Sequence, residues 1–146
     1  MAKIYNPRFE TMARKELEAL QLKRLQDMVD YCIKRVPFYK EKLTAAGIVS
    51  GKQIETLADI AKIPFTTKED IRNNYPDGFL AVPKREVVRI HASSGTTGNP
   101  TIVGYTRKDL AVWSEVMTRC LTAYGLHRDD TVSVSYGYGL FTGGLG

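Results

Sequence analysis

The chain of 146 residues is 43% hydrophobic and 25% charged, with 12 Gly and 6 Pro, a globular composition that excludes a disordered or collagenous protein and suffices for one ordinary core. No stretch approaches the roughly eighteen apolar residues of a membrane span, and Met1-Ala2-Lys3-Ile4-Tyr5-Asn6-Pro7-Arg8 is no secretory leader, so the chain reads as cytoplasmic and without a membrane partner. The net charge of +5 gathers in residues 1–40, nine Lys/Arg against five Asp/Glu, where the signs alternate as on a solvated helix face, which argues against a nucleic-acid partner.

Leu17, Leu20, Leu25, Met28, Cys32 and Val36 recur at three- and four-residue spacing and predict one long amphipathic helix over residues 11–35. Pro37 suits the first turn of a second helix that Gly47 stops. Residues 54–60 read as a short helix, and Thr66-Thr67-Lys68-Glu69-Asp70 offers a capping box that opens another. Pro76, Gly78 and Pro83 punctuate the passage to a strand at 87–91. A Gly/Ser/Thr loop follows, then a strand at 101–105 and a helix capped by Thr106 and Asp109, with Leu110, Trp113, Met117, Cys120, Leu121 and Tyr124 on its core side and Gly125 at its end. Residues 131–136 alternate as a third strand. The fold class is α/β: a helical segment over residues 1–83, then the start of an α/β region over 84–146. A strand feeding a Gly-rich run at residue 146 leaves the sheet incomplete, so the chain is expected to be the N-terminal piece of a longer protein.

The segment Ser93-Ser94-Gly95-Thr96-Thr97-Gly98 concentrates four hydroxyls and two glycines in six residues, so backbone N–H groups can turn toward one point while side chains add donors, an arrangement suited to phosphate oxygens. It is not a Walker A loop, because no Gly-Lys-Ser/Thr follows and Thr101 comes after Pro100. On composition alone, a Ser/Gly/Thr hairpin loop explains the segment equally well. Nearer the end, Tyr136, Tyr138 and Phe141 offer aromatic surface, while Gly137, Gly139, Gly143 and Gly144 admit close backbone approach, which together make an aryl slot conceivable beside ordinary packing.

Ser93-Ser94-Gly95-Thr96-Thr97-Gly98-Asn99-Pro100 resembles the phosphate-binding signature of the adenylate-forming superfamily, whose members mostly end it in Pro-Lys. The Pro-Thr here, His91-Ala92 before the loop, Val103-Gly104-Tyr105-Thr106 after it, Ile63-Pro64-Phe65-Thr66-Thr67-Lys68 earlier, and Tyr136-Gly137-Tyr138-Gly139-Leu140-Phe141-Thr142-Gly143-Gly144 resemble the phenylacetate-CoA ligase branch. The resemblance implies a two-step ligase that uses ATP, magnesium and coenzyme A. The carboxylate of phenylacetate attacks the α-phosphate of ATP, pyrophosphate leaves, and the coenzyme A thiol displaces AMP. It implies that Ser93, Ser94, Gly95, Thr96, Thr97 and Gly98 grip the phosphates and that Tyr136, Gly137, Phe141 and Gly143 line the aryl pocket. The magnesium carboxylate, the ribose aspartate and the lysine of the lid domain are expected beyond residue 146, so the chain alone is expected to be inactive.

Rival readings are a CoA ligase for another aryl acid, such as benzoate or indoleacetate, a phosphate- or nucleotide-binding module without catalysis, and a basic interaction protein built on the N-terminal helices. No carboxylate pair forms an evident metal site. His91 reads as a satisfied strand-end residue and His127 as a helix C-terminal one. Cys32 and Cys120 read as reduced core thiols, with no cationic neighbour to make either a nucleophile. Exposed apolar surface on an unfinished sheet leaves a homodimer open.

Overall fold

The computed structural model describes residues 3–93 and 100–135. A four-residue helix α1, Pro7–Glu10, precedes the long helix α2, Arg14–Arg35. The long helix therefore starts three residues later than its periodicity predicts. Thr11 closes α1 instead, its backbone N–H and its hydroxyl both donating to the Pro7 carbonyl at 3.1 and 2.7 Å. Val36 is extended at φ −122° and ψ 108°, and Pro37 opens α3, Pro37–Ala45, where its missing N–H costs nothing. The predicted stop at Gly47 is a left-handed cap at φ +79°. The N–H groups of Ile48 and Gly47 return to the carbonyls of Leu43 and Thr44, the paired bonds of a Schellman ending.

That ending turns Ile48 inward. Val29, Leu43, Ile48 and Ile54 form the buried core, with Leu22, Leu25, Ile33, Tyr39 and Ile63 packed around it. Two side chains of α2 hold the following segment in place: Gln26 Nε2 donates to the Ile54 carbonyl at 2.8 Å, and Asp30 Oδ1 accepts from the Gly51 N–H at 2.7 Å. The approach at Gly51 is so close that a Cβ there would sit 2.1 Å from the Gln26 carbonyl oxygen. The helix predicted over 54–60 is instead two 3-10 turns, Gly51–Gln53 and Leu57–Lys62. Ile54 lies between them because Thr56, whose N–H donates to Asp59 Oδ2 at 2.8 Å, caps the second turn.

Helix α4, Lys68–Asn73, opens at Thr67 with the predicted box, and Asp70 also meets Lys42 of α3 at 2.7 Å. Phe79 then docks on the rings of Phe38 and Tyr39 at 4.8 and 5.4 Å. This brings the chain to β1, Val87–Ala92, which pairs antiparallel with β2, Ile102–Thr106, in the register His91↔Val103 and Ile90↔Gly104. Helix α5, Arg107–Ala123, follows without a break, capped by Thr106 and Asp109 and closed by Gly125 at φ +100°. Phe9 of α1 straps α5 to α2, with the guanidinium groups of Arg24 and Arg119 at 5.6 and 5.0 Å from its ring.

The architecture is α/β, a helical segment leading into a two-stranded sheet flanked by α5. Three expectations need correction. Residues 131–135 form no strand and are exposed, because alternation yields a strand only where a neighbour completes the hydrogen-bond ladder. The side of α5 predicted to be core is largely open, with Met117, Leu121 and Tyr124 at 42, 43 and 88% exposure. Cys120 on that side is exposed and only Cys32 is half-buried, so Cys120 is not a core thiol.

Candidate functional site

The residues expected to grip phosphate, Ser94, Gly95, Thr96, Thr97 and Gly98, and those expected to line an aryl pocket, Tyr136, Gly137, Phe141 and Gly143, lie outside the described residues. Ser93 and the two strands on either side of residues 94–99 are described. The Ser93 N–H donates to the Thr101 carbonyl at 3.0 Å, so pairing continues one step past the ladder and pins the strand ends where the chain leaves for residue 94 and returns at residue 100.

Strand alternation places His91 and Ser93 on one face of the hairpin, with Val103 and Thr101 opposite them. Helix α5 covers this face through Trp113. The His91 ring is fully buried, 5.1 Å from the Tyr105 ring and 5.6 Å from the Trp113 ring, and the last two are 5.3 Å apart. Among the described residues, neither ring nitrogen of His91 has a hydrogen-bond partner, nor has Ser93 Oγ or Thr101 Oγ1, although all are buried. His91 is therefore not the satisfied strand-end residue that the sequence suggests. Each buried polar group left unpaired costs about 1–3 kcal/mol, and here several share the mouth of one hairpin.

The opposite sheet face carries a feature the sequence did not announce. Ile90, Ile102 and Gly104 meet Ile71, Phe79 and Leu80 around a cavity of about 470 Å³, with Asp77 and Lys84 also on its wall. Three separate segments build it, so no single motif could reveal it. A Cβ at Gly104 would lie 3.0 Å from Leu80 Cδ2 and 3.1 Å from Val87 Cγ1, so a larger side chain there would press on those two methyl groups.

Four acidic residues are engaged in fold contacts. Lys62, helped by the Thr56 N–H, holds the Asp59 carboxyl down to about 2. Lys42 lowers Asp70, Lys84 lowers Asp77, and Arg119 with Asn6 lowers Glu115. Among the described residues no group of three His, Cys, Asp or Glu converges on a point, and these paired carboxylates do not fit a magnesium site. Burial raises the Cys32 thiol, opposite to what a nucleophile needs. His127 sits in the turn after Gly125, with Nδ1 3.1 Å from Asp129 Oδ2 and its N–H bonded to Asp130, a local turn contact.

No family model matches the chain. The phenylacetate-coenzyme A ligase of Thermus thermophilus is 52% identical over 143 residues, which are 98% of this chain and 32% of that protein. The phenylacetate-coenzyme A ligase of Aromatoleum evansii is 51% identical over 137 residues, 94% of this chain and 31% of its own length. Among solved structures, 2-hydroxyisobutyryl-CoA ligase in the postadenylation state with 2-HIB-AMP superposes with a TM-score of 0.87 at 29% identity, covering 97% of this chain and 30% of that one. The chain thus spans about a third of the length of the curated relatives it matches.

Proposed function

From the premise that this chain belongs by sequence to the phenylacetate-coenzyme A ligase family, we propose that it is the phosphate-loop-bearing part of an AMP-forming acid–thiol ligase. The enzyme converts phenylacetate, ATP and coenzyme A to phenylacetyl-CoA, AMP and pyrophosphate through an acyl-adenylate. Identity of about half over at least 94% of the chain supports this reading. Residues 84–146 begin the AMP-binding region and 1–83 form its helical lead-in.

In this reading Ser93, Ser94, Gly95, Thr96, Thr97 and Gly98 donate hydrogen bonds to the phosphates that leave as pyrophosphate. Their contribution is orientation and charge stabilisation, because the acid and ATP are both anionic. Tyr136, Gly137, Phe141 and Gly143 form the slot for the flat ring. Magnesium would shield charge on the phosphates, and its carboxylate ligands lie outside the described residues, as do the groups that act on ribose and thiol. The partners are therefore small molecules, an aryl acid, ATP and coenzyme A, rather than nucleic acid or membrane. We place the enzyme in the cytoplasm, in keeping with the absence of any helix among the described residues long and apolar enough to cross a membrane. A homodimer is compatible with the reading and not required by it.

The deciding experiment measures acid-dependent pyrophosphate release, then thioester formation on adding coenzyme A, with phenylacetate, benzoate, indoleacetate and 2-hydroxyisobutyrate compared by kcat/KM. The full-length protein should prefer phenylacetate, and the 146-residue chain alone should form no thioester. Pyrophosphate release that ignores the acid would sink the proposal.

A further inference from the structure

We propose that His91 is a positioning residue for nucleotide binding: with Ser93 and Thr101 it forms a buried polar socket at the base of the phosphate loop, whose hydrogen-bonding capacity is met when ATP is bound. The inference rests on the ligase reading above and names a residue that the loop signature does not contain.

Three observations lead to it. His91, Ser93 and Thr101 share the α5 face of the hairpin within two ladder steps, and all of their side-chain polar atoms are buried without a partner among the described residues. Among the described residues, the other buried orphan atoms are single Nε atoms of Arg72 and Arg119, each part of a larger guanidinium group. Unmet capacity thus concentrates where the chain enters and leaves residues 94–99. The edge contacts with Tyr105 and Trp113 hold the imidazole from the side, so it is a fixed part of the hairpin floor. A phenylalanine would fill the same wedge without unpaired nitrogens, so packing alone does not explain a histidine here.

The test uses the full-length protein and two shape-conserving variants. His91→Phe keeps the aromatic wedge and removes both nitrogens, and Thr101→Val removes one hydroxyl. Each should raise KM for ATP, by about tenfold for His91→Phe as for the loss of one or two hydrogen bonds. KM for the acid should stay within about twofold, and the melting temperature should not fall. His91→Asn, which restores a donor and an acceptor, should recover part of the ATP affinity. A purely structural histidine would instead give a lower melting temperature with no selective change in KM for ATP. Active variants with unchanged KM for ATP overturn the inference and leave the ligase reading intact. Wild-type protein without acid-dependent pyrophosphate release removes both. Should His91→Phe fail to fold, Thr101→Val decides.

Discussion

The two ends of the chain use apolar residues in opposite ways. In the helical part, Val29, Val36, Leu43, Ile48 and Ile54 are all buried, while in the hairpin and α5 the one fully buried side chain among the described residues is a histidine. Val88 and Ile90 of β1 remain 45 and 48% exposed, and Val112, Val116, Met117 and Leu121 of α5 are 42 to 57% exposed. Both regions carry the correct periodicity, so periodicity does not decide burial. An opposing element does: α2 has α3 and the 3-10 turns against it, whereas the outer side of α5 faces no described residue in comparable packing. The first region is organised for stability and the second around the mouth of a loop.

The strongest way to break this contrast is to truncate one side chain in each region. Ile54→Ala removes a side chain with no exposed surface and should cost about 2–5 kcal/mol, because cavity and transfer costs add. Leu121→Ala, at 43% exposure, should cost about 1 kcal/mol or less in the same chain. Urea midpoints at constant slope compare the two directly. Equal losses would mean that the open side of α5 is as well packed as the core.

A smaller effect sharpens the same comparison at the junction of sheet and helix. Thr106 ends β2 and caps α5, its Oγ1 accepting from the Asp109 N–H at 3.2 Å while its own N–H donates to Asp109 Oδ2 at 2.8 Å. Thr106→Ala should cost about 1 kcal/mol. Since little packing covers α5, the loss should appear as faster amide exchange in its first turn, with protection in α2 unchanged. Uniform loss of protection along the chain would show that the two regions unfold as one unit.

The contrast also explains what could be read from sequence. Pro37, Gly47, Thr67, Thr106 and Gly125 mark local backbone events, and each sits at a helix boundary in the structure. Helix α2 begins at Arg14 rather than at residue 11 because Thr11 bonds backward to Pro7. Residues 131–135 form no strand for a nonlocal reason, the lack of a ladder partner among the described residues. Ser93-Ser94-Gly95-Thr96-Thr97-Gly98 reads as a loop from composition alone, and residues 94–98 lie outside the described residues. The burial of His91 was not visible, since it depends on Tyr105 across the hairpin and Trp113 on the next helix. The cavity behind Ile90 was hidden in the same way, its wall being assembled from residues 71 to 104.

The smallest expected effect tests whether the helical region is tightly organised even in its exposed turns. The Asp59 carboxyl, lowered to about 2 by Lys62 and then by the Thr56 N–H, compares with about 3.9 for an unfolded aspartate. A carboxyl lowered on folding contributes stability that is fully present above about pH 4 and is lost as pH falls through its folded value. Acid should therefore weaken this turn between about pH 4 and pH 2, and the Asp70–Lys42 contact, whose carboxyl Lys42 also lowers, should weaken as pH falls below the ordinary carboxylate value. Lys62 is 66% exposed and Asp59 14%, so solvent screens one side of the pair, the change in global stability should be slight, and the carboxyl itself is the better reporter. An NMR titration should place the Asp59 midpoint near 2, and Lys62→Met should move it up toward the free value. A wild-type midpoint near 4 would show that the Thr56–Asp59 turn is not held as the geometry requires, and would weaken the claim that this half of the chain is ordered by local bonds as well as by its core.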